Sequence, residues 1–240
     1  MLSRIKTHLE LKEKRDLLQE KMFALATTEE KLRRKVQQME SEMERAHIIQ
    51  EMFLPKVAPE NSHYRTAFRY LPMEKVGGDY ITFPVPSEDG IGFFIGDLTG
   101  HGVSAALYMA LIKFVSDQLI PNCAFCPKDL LEQMNTQLQN QMQASFITAI
   151  YGYLHHNEGE NSFNCKLAGA AHPLPIVWRK KTKDVTFIEL ESSGAIGILP
   201  NLTSTNIDVS LDPGDRIFVY TDGITETSNS SDEEFGKDTL

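Results

Sequence analysis

Three aspartates in the 240-residue sequence stand beside glycines at the ends of apolar, β-type runs: Gly77-Gly78-Asp79, Gly96-Asp97-Leu98-Thr99-Gly100-His101-Gly102 and Thr221-Asp222-Gly223. Strand ends are where side chains from separate parts of a chain converge, and glycine lets the backbone turn tightly enough for carboxylates and carbonyls to face one ion. Oxygen ligands of this kind suit hard divalent cations such as Mg²⁺ or Mn²⁺, which keep several waters beside a few protein carboxylates. Two such ions about 4 Å apart lower the pKa of a shared water and stabilise an in-line attack on phosphorus. Asp and Gly also dominate turns for conformational reasons alone, so one Asp-Gly pair says little. Three of them, with Gly-His-Gly leading into a helix, favour the metal-centre reading. The helix expected from near Ser104 directs free backbone N–H groups toward the 96–102 loop, where an anion could be held.

The chain that must position these turns changes character near residue 54. None of its 15 glycines precedes Gly77 and none of its 11 prolines precedes Pro55, so residues 1–53 read as one long helix. Within it, Leu18, Met22, Leu25, Leu32, Val36, Met39, Met43, Ala46 and Phe53 follow alternating steps of three and four, with Glu29 and Gln50 at two polar seam positions. Leu2, Ile5 and Leu9 keep that spacing in a shifted frame, which implies a register break before Leu18. The expectation is a coiled-coil linker that makes a homodimer; the competing reading is an amphipathic helix packed on its own domain. Residues 54–240 form the second domain. Strands are expected over 64–70, 79–85, 91–96, 146–154, 163–168, 174–179, 185–190, 206–209 and 216–220, with a hairpin connection at 155–162. Helices are expected over 104–120, stopping at Pro121, and from near Pro127. In the first, Ala106, Leu107, Ala110, Leu111, Phe114 and Val115 would share the buried face; in the second, Leu131, Met134, Leu138 and Met142 keep helical spacing. Strands on both sides of a helical pair make the fold class α+β.

Composition narrows the function classes. With 41% hydrophobic and 24% charged residues the chain can bury one good core. Its net charge of −9 is uneven: residues 1–53 hold 11 Lys and Arg against 10 Asp and Glu, and residues 54–240 hold 13 against 23. An acidic body repels phosphate backbones, which argues against nucleic-acid binding and suits cation binding. No apolar run approaches the roughly 20 residues of a bilayer span. No basic-then-apolar leader opens the sequence and its three cysteines cannot all pair, so the expected compartment is a reducing cytoplasm. Cys123 and Cys126 form a CxxC, but only Cys165 and scattered histidines remain to complete a zinc site, so they read as ordinary loop thiols.

Six separated motifs then agree in order: VGGDY at 76–80, IGDLTGHG at 95–102, FITAIYGYL at 146–154, AAHP at 170–173, LDPGDRIFVYTDGITE at 211–226 and FG at 235–236. Together they resemble the PPM-type metal-dependent serine/threonine phosphatases, in the bacterial branch typified by stage II sporulation protein E and RsbU. ERAHIIQEMFLP at 44–55 resembles the helical entry to that domain, so the likeness covers about residues 44–240. It implies an α/β/β/α sandwich of two antiparallel sheets flanked by helices, with two Mn²⁺ or Mg²⁺ ions at one edge. By its motifs, Asp97 would bridge both ions, Asp222 would bind one, Asp79 would hold the other directly or through water, and the Leu98 backbone carbonyl would add an oxygen. Water activated between the ions would attack phosphoserine or phosphothreonine with no covalent enzyme intermediate. His101 would protonate the leaving oxygen, or else only cap its glycine turn.

The substrate the resemblance implies is a phosphorylated anti-sigma-factor antagonist of the STAS type, in a partner-switching pathway. Two positions depart from the branch: Gly169 and Ala171 stand where Asn and Gly are usual ahead of His-Pro, which makes His172 read as a turn residue. The family pattern also continues beyond FG with a helix and a strand carrying another aspartate, and neither Asp232 nor Asp238 is that residue by position. With that ligand outside the sequence, weak turnover is expected. A phosphatase-fold module that binds its partner without turning it over is the alternative.

Overall fold

The computed structural model describes residues 2–72, 75–100, 102–142, 145–157 and 162–240, with side chains from Ile5 onward. Helix α1 (Leu2–Phe53) runs without a break, as a segment free of glycine and proline should. The chain divides into two compact units, one ending at Arg45 and the other spanning Ala46–Leu240. In the first, Leu18, Met22, Leu25, Leu32, Val36 and Met39 are all exposed on the single chain. An Arg34–Glu30 ion pair at 2.9 Å lies one turn apart on the same helix.

In the second unit the last turns of α1 pack into the globular core. Ala46 and Gln50 are buried and Phe53 packs against the main hydrophobic cluster. A buried amide needs partners, and Gln50 finds them on Gly77: its Nε2 donates to the Gly77 carbonyl at 2.7 Å, and the Gly77 N–H donates to its Oε1 at 3.1 Å. The compact unit therefore starts at Ala46, whereas composition changes near residue 54. Gln50 serves this clamp instead of a polar seam position.

Among the described residues eight strands follow: β1 (Asp79–Thr82), β2 (Gly90–Leu98), β3 (Ile147–His156), β4 (Phe163–Ala170), β5 (Ile176–Trp178), β6 (Val185–Phe187), β7 (Ile207–Leu211) and β8 (Arg216–Phe218). They form a five-stranded sheet in the order β1-β2-β3-β4-β7 and a three-stranded sheet in the order β6-β5-β8, every pairing antiparallel. Alternation sorts their side chains. Tyr80, Phe94, Leu98, Tyr151 and Ala168 join Met109, Ile112, Leu130, Leu131 and Met134 of helices α2 (Val103–Cys123) and α3 (Pro127–Leu138). On the opposite face Phe93, Ile95, Ile150, Cys165 and Leu167 meet Val177 and Ile217 of the second sheet. The layers are thus helices, sheet, sheet. Val185, Phe187 and Phe218 of the three-stranded sheet remain exposed.

Four details differ from expectation. Residues 64–70 form no strand beyond a single Glu60–Arg65 bridge, because the Asn61 side chain accepts the His63 and Tyr64 N–H groups and turns the chain. Helix α2 continues through Pro121 to Cys123. Its buried face is Ala105, Ala106, Met109, Ile112, Val115 and Leu119, while Leu107 and Phe114 are exposed. That helix is apolar almost all round, so periodicity alone does not choose its face; by length and composition it would suit a membrane span, yet it supplies the core. Met142 is buried beyond the end of α3, its N–H donating to the Leu138 carbonyl at 3.1 Å. Within the expected 155–162 connection, residues 158–161 lie outside the described residues.

Candidate active site

Strand register brings the first carboxylates together. Asp79 on β1 is the cross-strand partner of Asp97 on β2, and Asp97 is the partner of Thr148 on β3. Directly paired residues project from the same face of a sheet. Asp97 has the parity of Phe93 and Ile95, which face the second sheet, so Asp79, Asp97 and Thr148 form a polar row at the end of the layer between the sheets. From the second sheet, β8 leads through Tyr220 to Thr221 and Asp222. The Thr221 hydroxyl donates to Asp79 Oδ2 at 3.3 Å, joining the two sheets at this end.

The glycines beside the aspartates have a geometric reason. Leu98 donates its N–H to the Gly78 carbonyl at 3.2 Å. A Cβ on Gly78 would collide with the Leu98 carbonyl oxygen, and it would lie 3.2 Å from the Gly100 carbonyl oxygen and 3.3 Å from Asp97 Oδ1. Gly78 thus faces a cradle of three oxygens that any side chain would fill. Farther along, Gly102 takes φ of 81° at the N-cap of α2, a left-handed conformation open to glycine at little cost. His101, placed in that turn by the sequence reading, lies outside the described residues.

Electrostatically the row is under strain. Burial, followed by the charges of Asp79 and Asp222, pushes the Asp97 carboxyl up to about 7. Asp79 is raised as well, by burial and the Asp222 charge, against the opposing pull of the Thr221 hydroxyl and a hydrogen bond with Asp97. A carboxyl–carboxyl hydrogen bond requires a shared proton, the response of like charges held too close to ionise together. Glu226 adds further negative potential at Asp97. Its N–H donates to the Asp222 carbonyl at 2.8 Å, so one helical turn brings both acids to this end. Glu226 lies in the TDGITE motif, four residues after Asp222, a spacing that one helical turn brings together.

The structure therefore brings Asp79, Asp97 and the Leu98 carbonyl together, with Asp222 in Coulombic reach. Among the described residues, no three His, Cys, Asp or Glu side chains close on one point. The donor set among the described residues, carboxylates and backbone carbonyls, fits a hard divalent cation such as Mg²⁺ or Mn²⁺. Positive charge placed here would offset both the burial and the repulsion that raise Asp97. Cys123, Cys126 and Cys165 are free thiols, and burial pushes the Cys165 thiol well up, as suits an unreactive core residue.

Comparison with known proteins bears on the family and the fold. The phosphoserine phosphatase RsbU of Bacillus subtilis (strain 168) is 30% identical over 206 residues, which cover 85% of this chain and 59% of that protein. The chain thus spans less than two thirds of that relative's length. Among solved structures, the SiaA-PP2C domain of Pseudomonas aeruginosa superposes with a TM-score of 0.64 at 20% identity, over 85% of this chain and 80% of that one. RsbX, solved in complex with magnesium, gives a TM-score of 0.56 at 17% identity, over 70% and 78% respectively. At such identities the two structures establish a common fold. Residues 87–240 match the family model of stage II sporulation protein E (SpoIIE), and with most of its length inside that match this chain belongs to the SpoIIE family.

Proposed function

We propose that this chain hydrolyses phosphoserine or phosphothreonine on a protein substrate with the help of two Mn²⁺ or Mg²⁺ ions. The observation that carries the reading is the pairing of Asp79 with Asp97 on adjacent strands, with Asp222 from the segment after β8 in Coulombic reach. The RsbU likeness and the magnesium complex of RsbX support it. Asp97 would hold both ions; Asp79, oriented by Thr221, and Asp222 would each hold one, and the Leu98 carbonyl would complete the oxygen set. When bound, such ions supply activation of water and neutralisation of phosphoryl charge. The N-terminal N–H groups of α2, which follows the Asp97 loop, would orient the phosphoryl oxygens. We infer a phosphorylated STAS-type anti-sigma-factor antagonist as substrate and partner switching in the cytoplasm as output. Homodimerisation would run through residues 1–53, where the apolar seam from Leu18 to Met39 is exposed on the single chain.

The test is phosphate release from a phosphorylated STAS-domain protein with and without Mn²⁺, for this chain and Asp97→Asn. Mn²⁺-dependent release that Asp97→Asn abolishes is the expected result. Tight binding of the phosphorylated partner with no release under any condition would replace this reading by the binding-module alternative.

A further inference from the structure

Helix α1 sends a polar side chain into the apolar core, where it meets the backbone that leads to Asp79. Gln50 is 1% exposed and shares its helix face with the buried Ala46 and the core-packed Phe53. Its carboxamide closes on Gly77 at both polar groups: Nε2 donates to the Gly77 carbonyl at 2.7 Å, and the Gly77 N–H donates to Oε1 at 3.1 Å. Nε2 also lies 3.5 Å from Met109 Sδ of α2. Asp79, two residues on, opens β1, the edge strand of the five-stranded sheet, opposite Asp97. Successive residues of an extended chain present their N–H and C=O groups to opposite sides. Gly78 accordingly turns its carbonyl to the Leu98 N–H of β2 at 3.2 Å, and Gly77 turns its pair the other way, where the sheet has no further strand. The Gln50 amide carries the donor and the acceptor of a peptide group and takes that strand's place.

We propose that Gln50 is a positioning residue that fixes Gly77 from α1 and so sets where Asp79 stands against Asp97. Glycine loses more conformational freedom on folding than any other residue, so an unclamped Gly77-Gly78 link would let Asp79 move against its neighbour. A side chain needed on this face for packing alone would be apolar, as Ala46 and Phe53 are, because a buried amide is costly unless it is bonded. The inference rests on the metal-dependent phosphatase reading, and Gln50 acts through the Gly77 backbone rather than on a carboxylate.

Its test uses the whole chain with Gln50→Met, which keeps the buried volume and loses the clamp, and with Phe53→Leu as a packing control on the same helix face. In metal-free protein, Gln50→Met strips the Gly77 N–H of its protection against hydrogen exchange and shifts the amide signals of Asp79 and Asp97, and Phe53→Leu leaves all three in place. By calorimetry, Gln50→Met weakens Mn²⁺ affinity by roughly 10-fold, the lower end for outer partners of metal ligands, whereas Phe53→Leu lowers the unfolding midpoint with affinity unchanged. If Gln50→Met fails to fold, Gln50→Asn, whose carboxamide stops one carbon short of Gly77, decides by the same readings. A folded variant with unmoved Asp79 and Asp97 signals, or with wild-type Mn²⁺ affinity, would overturn the proposal even where phosphate release is robust. Signals and affinity that move as far in Phe53→Leu would overturn it too, by reducing Gln50 to packing. Moved signals in a chain that neither binds Mn²⁺ nor releases phosphate would uphold the positioning while the phosphatase reading fell.

Discussion

Strand β8 carries an aspartate before it and another after it, and the two ends treat their acids in opposite ways. Ahead of the strand, the Asp215 side chain is 3% exposed and fully answered: Arg179 Nη1 donates to it at 2.8 Å, the Lys180 N–H at 2.9 Å and the Asp212 N–H at 3.1 Å. Burial alone would raise its pKa, but those hydrogen bonds and the guanidinium charge outweigh it and hold the carboxyl below its ordinary value. Beyond the strand, Asp222 comes into Coulombic reach of Asp79 and Asp97, whose neighbours among the described residues are other acids and one threonine hydroxyl, and both of those carboxyls are raised. One end of the sandwich spends its acid on the fold; the other leaves its acids uncompensated, ready for a cation from outside. Residue type is shared, so the partners decide which aspartate is structural.

The largest expected effect breaks that contrast at the acidic end. Asp97→Asn removes the central charge, so Mn²⁺ binding and phosphate release should fall to background, while the metal-free protein should become more stable by about 2 kcal/mol at pH 8. The pH dependence has a definite sign. A carboxyl raised in the fold takes up its proton before the unfolded chain does, so metal-free wild type gains stability as pH falls from about 7 toward the ordinary carboxylate value, and Asp97→Asn does not. Urea denaturation in EDTA across pH 4 to about 8 measures both. A loss of metal-free stability in Asp97→Asn would show that the acids are not in conflict.

At the other end the sign reverses. Asp215→Asn removes a charged acceptor from Arg179 and the Lys180 and Asp212 N–H groups, and should cost about 2 kcal/mol while Mn²⁺ affinity stays the same. Because this carboxyl is lowered in the fold, its contribution is present above the ordinary carboxylate pKa and is lost as pH falls through the folded value. The gap between wild type and variant should therefore be constant near neutrality and close only in strong acid. Thr221→Val sharpens the comparison with a smaller effect. It deletes the hydroxyl that bonds Asp79, the neutral substitute for the cation that Asp215 has, so Mn²⁺ affinity should drop by about 1 kcal/mol, roughly 5-fold, with little change in the midpoint of unfolding.

Much of this was legible from residue patterns, and what was not has identifiable causes. Period-two alternation locates β2, β3 and β4, and the glycine-flanked aspartates stand at the start of β1, at the end of β2 and beyond β8. Neither burial nor partner choice has a local signature. Gln50 looked like a polar position in a coiled-coil seam because periodicity does not report which surface a helix touches, and its clamp on Gly77 joins residues 27 apart. Helix α2 hid its buried face because its apolar residues surround the axis. Glu226 was part of a quoted motif, yet only the turn that returns its N–H to Asp222 brings it near Asp97. The Thr148–His172 bond likewise depends on register between strands separated by a hairpin.

The smallest expected effect concerns Ala171, where the related branch usually has glycine. Its φ is 52°, in the left-handed region that brings Cβ against the neighbouring carbonyl and costs a residue with a side chain roughly 1–2 kcal/mol. Ala171→Gly relieves this strain but gives the unfolded chain more freedom, which returns about 0.5–1 kcal/mol. The balance should be a gain of about 0.5–1 kcal/mol, read as a rise of about 2–3 °C in the unfolding midpoint. Ala171 also donates its N–H to the Ser192 hydroxyl at 3.1 Å and precedes His172, so its turn is held from both sides. If that turn helps to place the acidic end, the gain should appear without loss of Mn²⁺ affinity. A gain in stability accompanied by weaker Mn²⁺ binding would mean that the strained alanine holds the carboxylates closer than glycine does, and that this end of the molecule gives up stability in its backbone as well as in its charges.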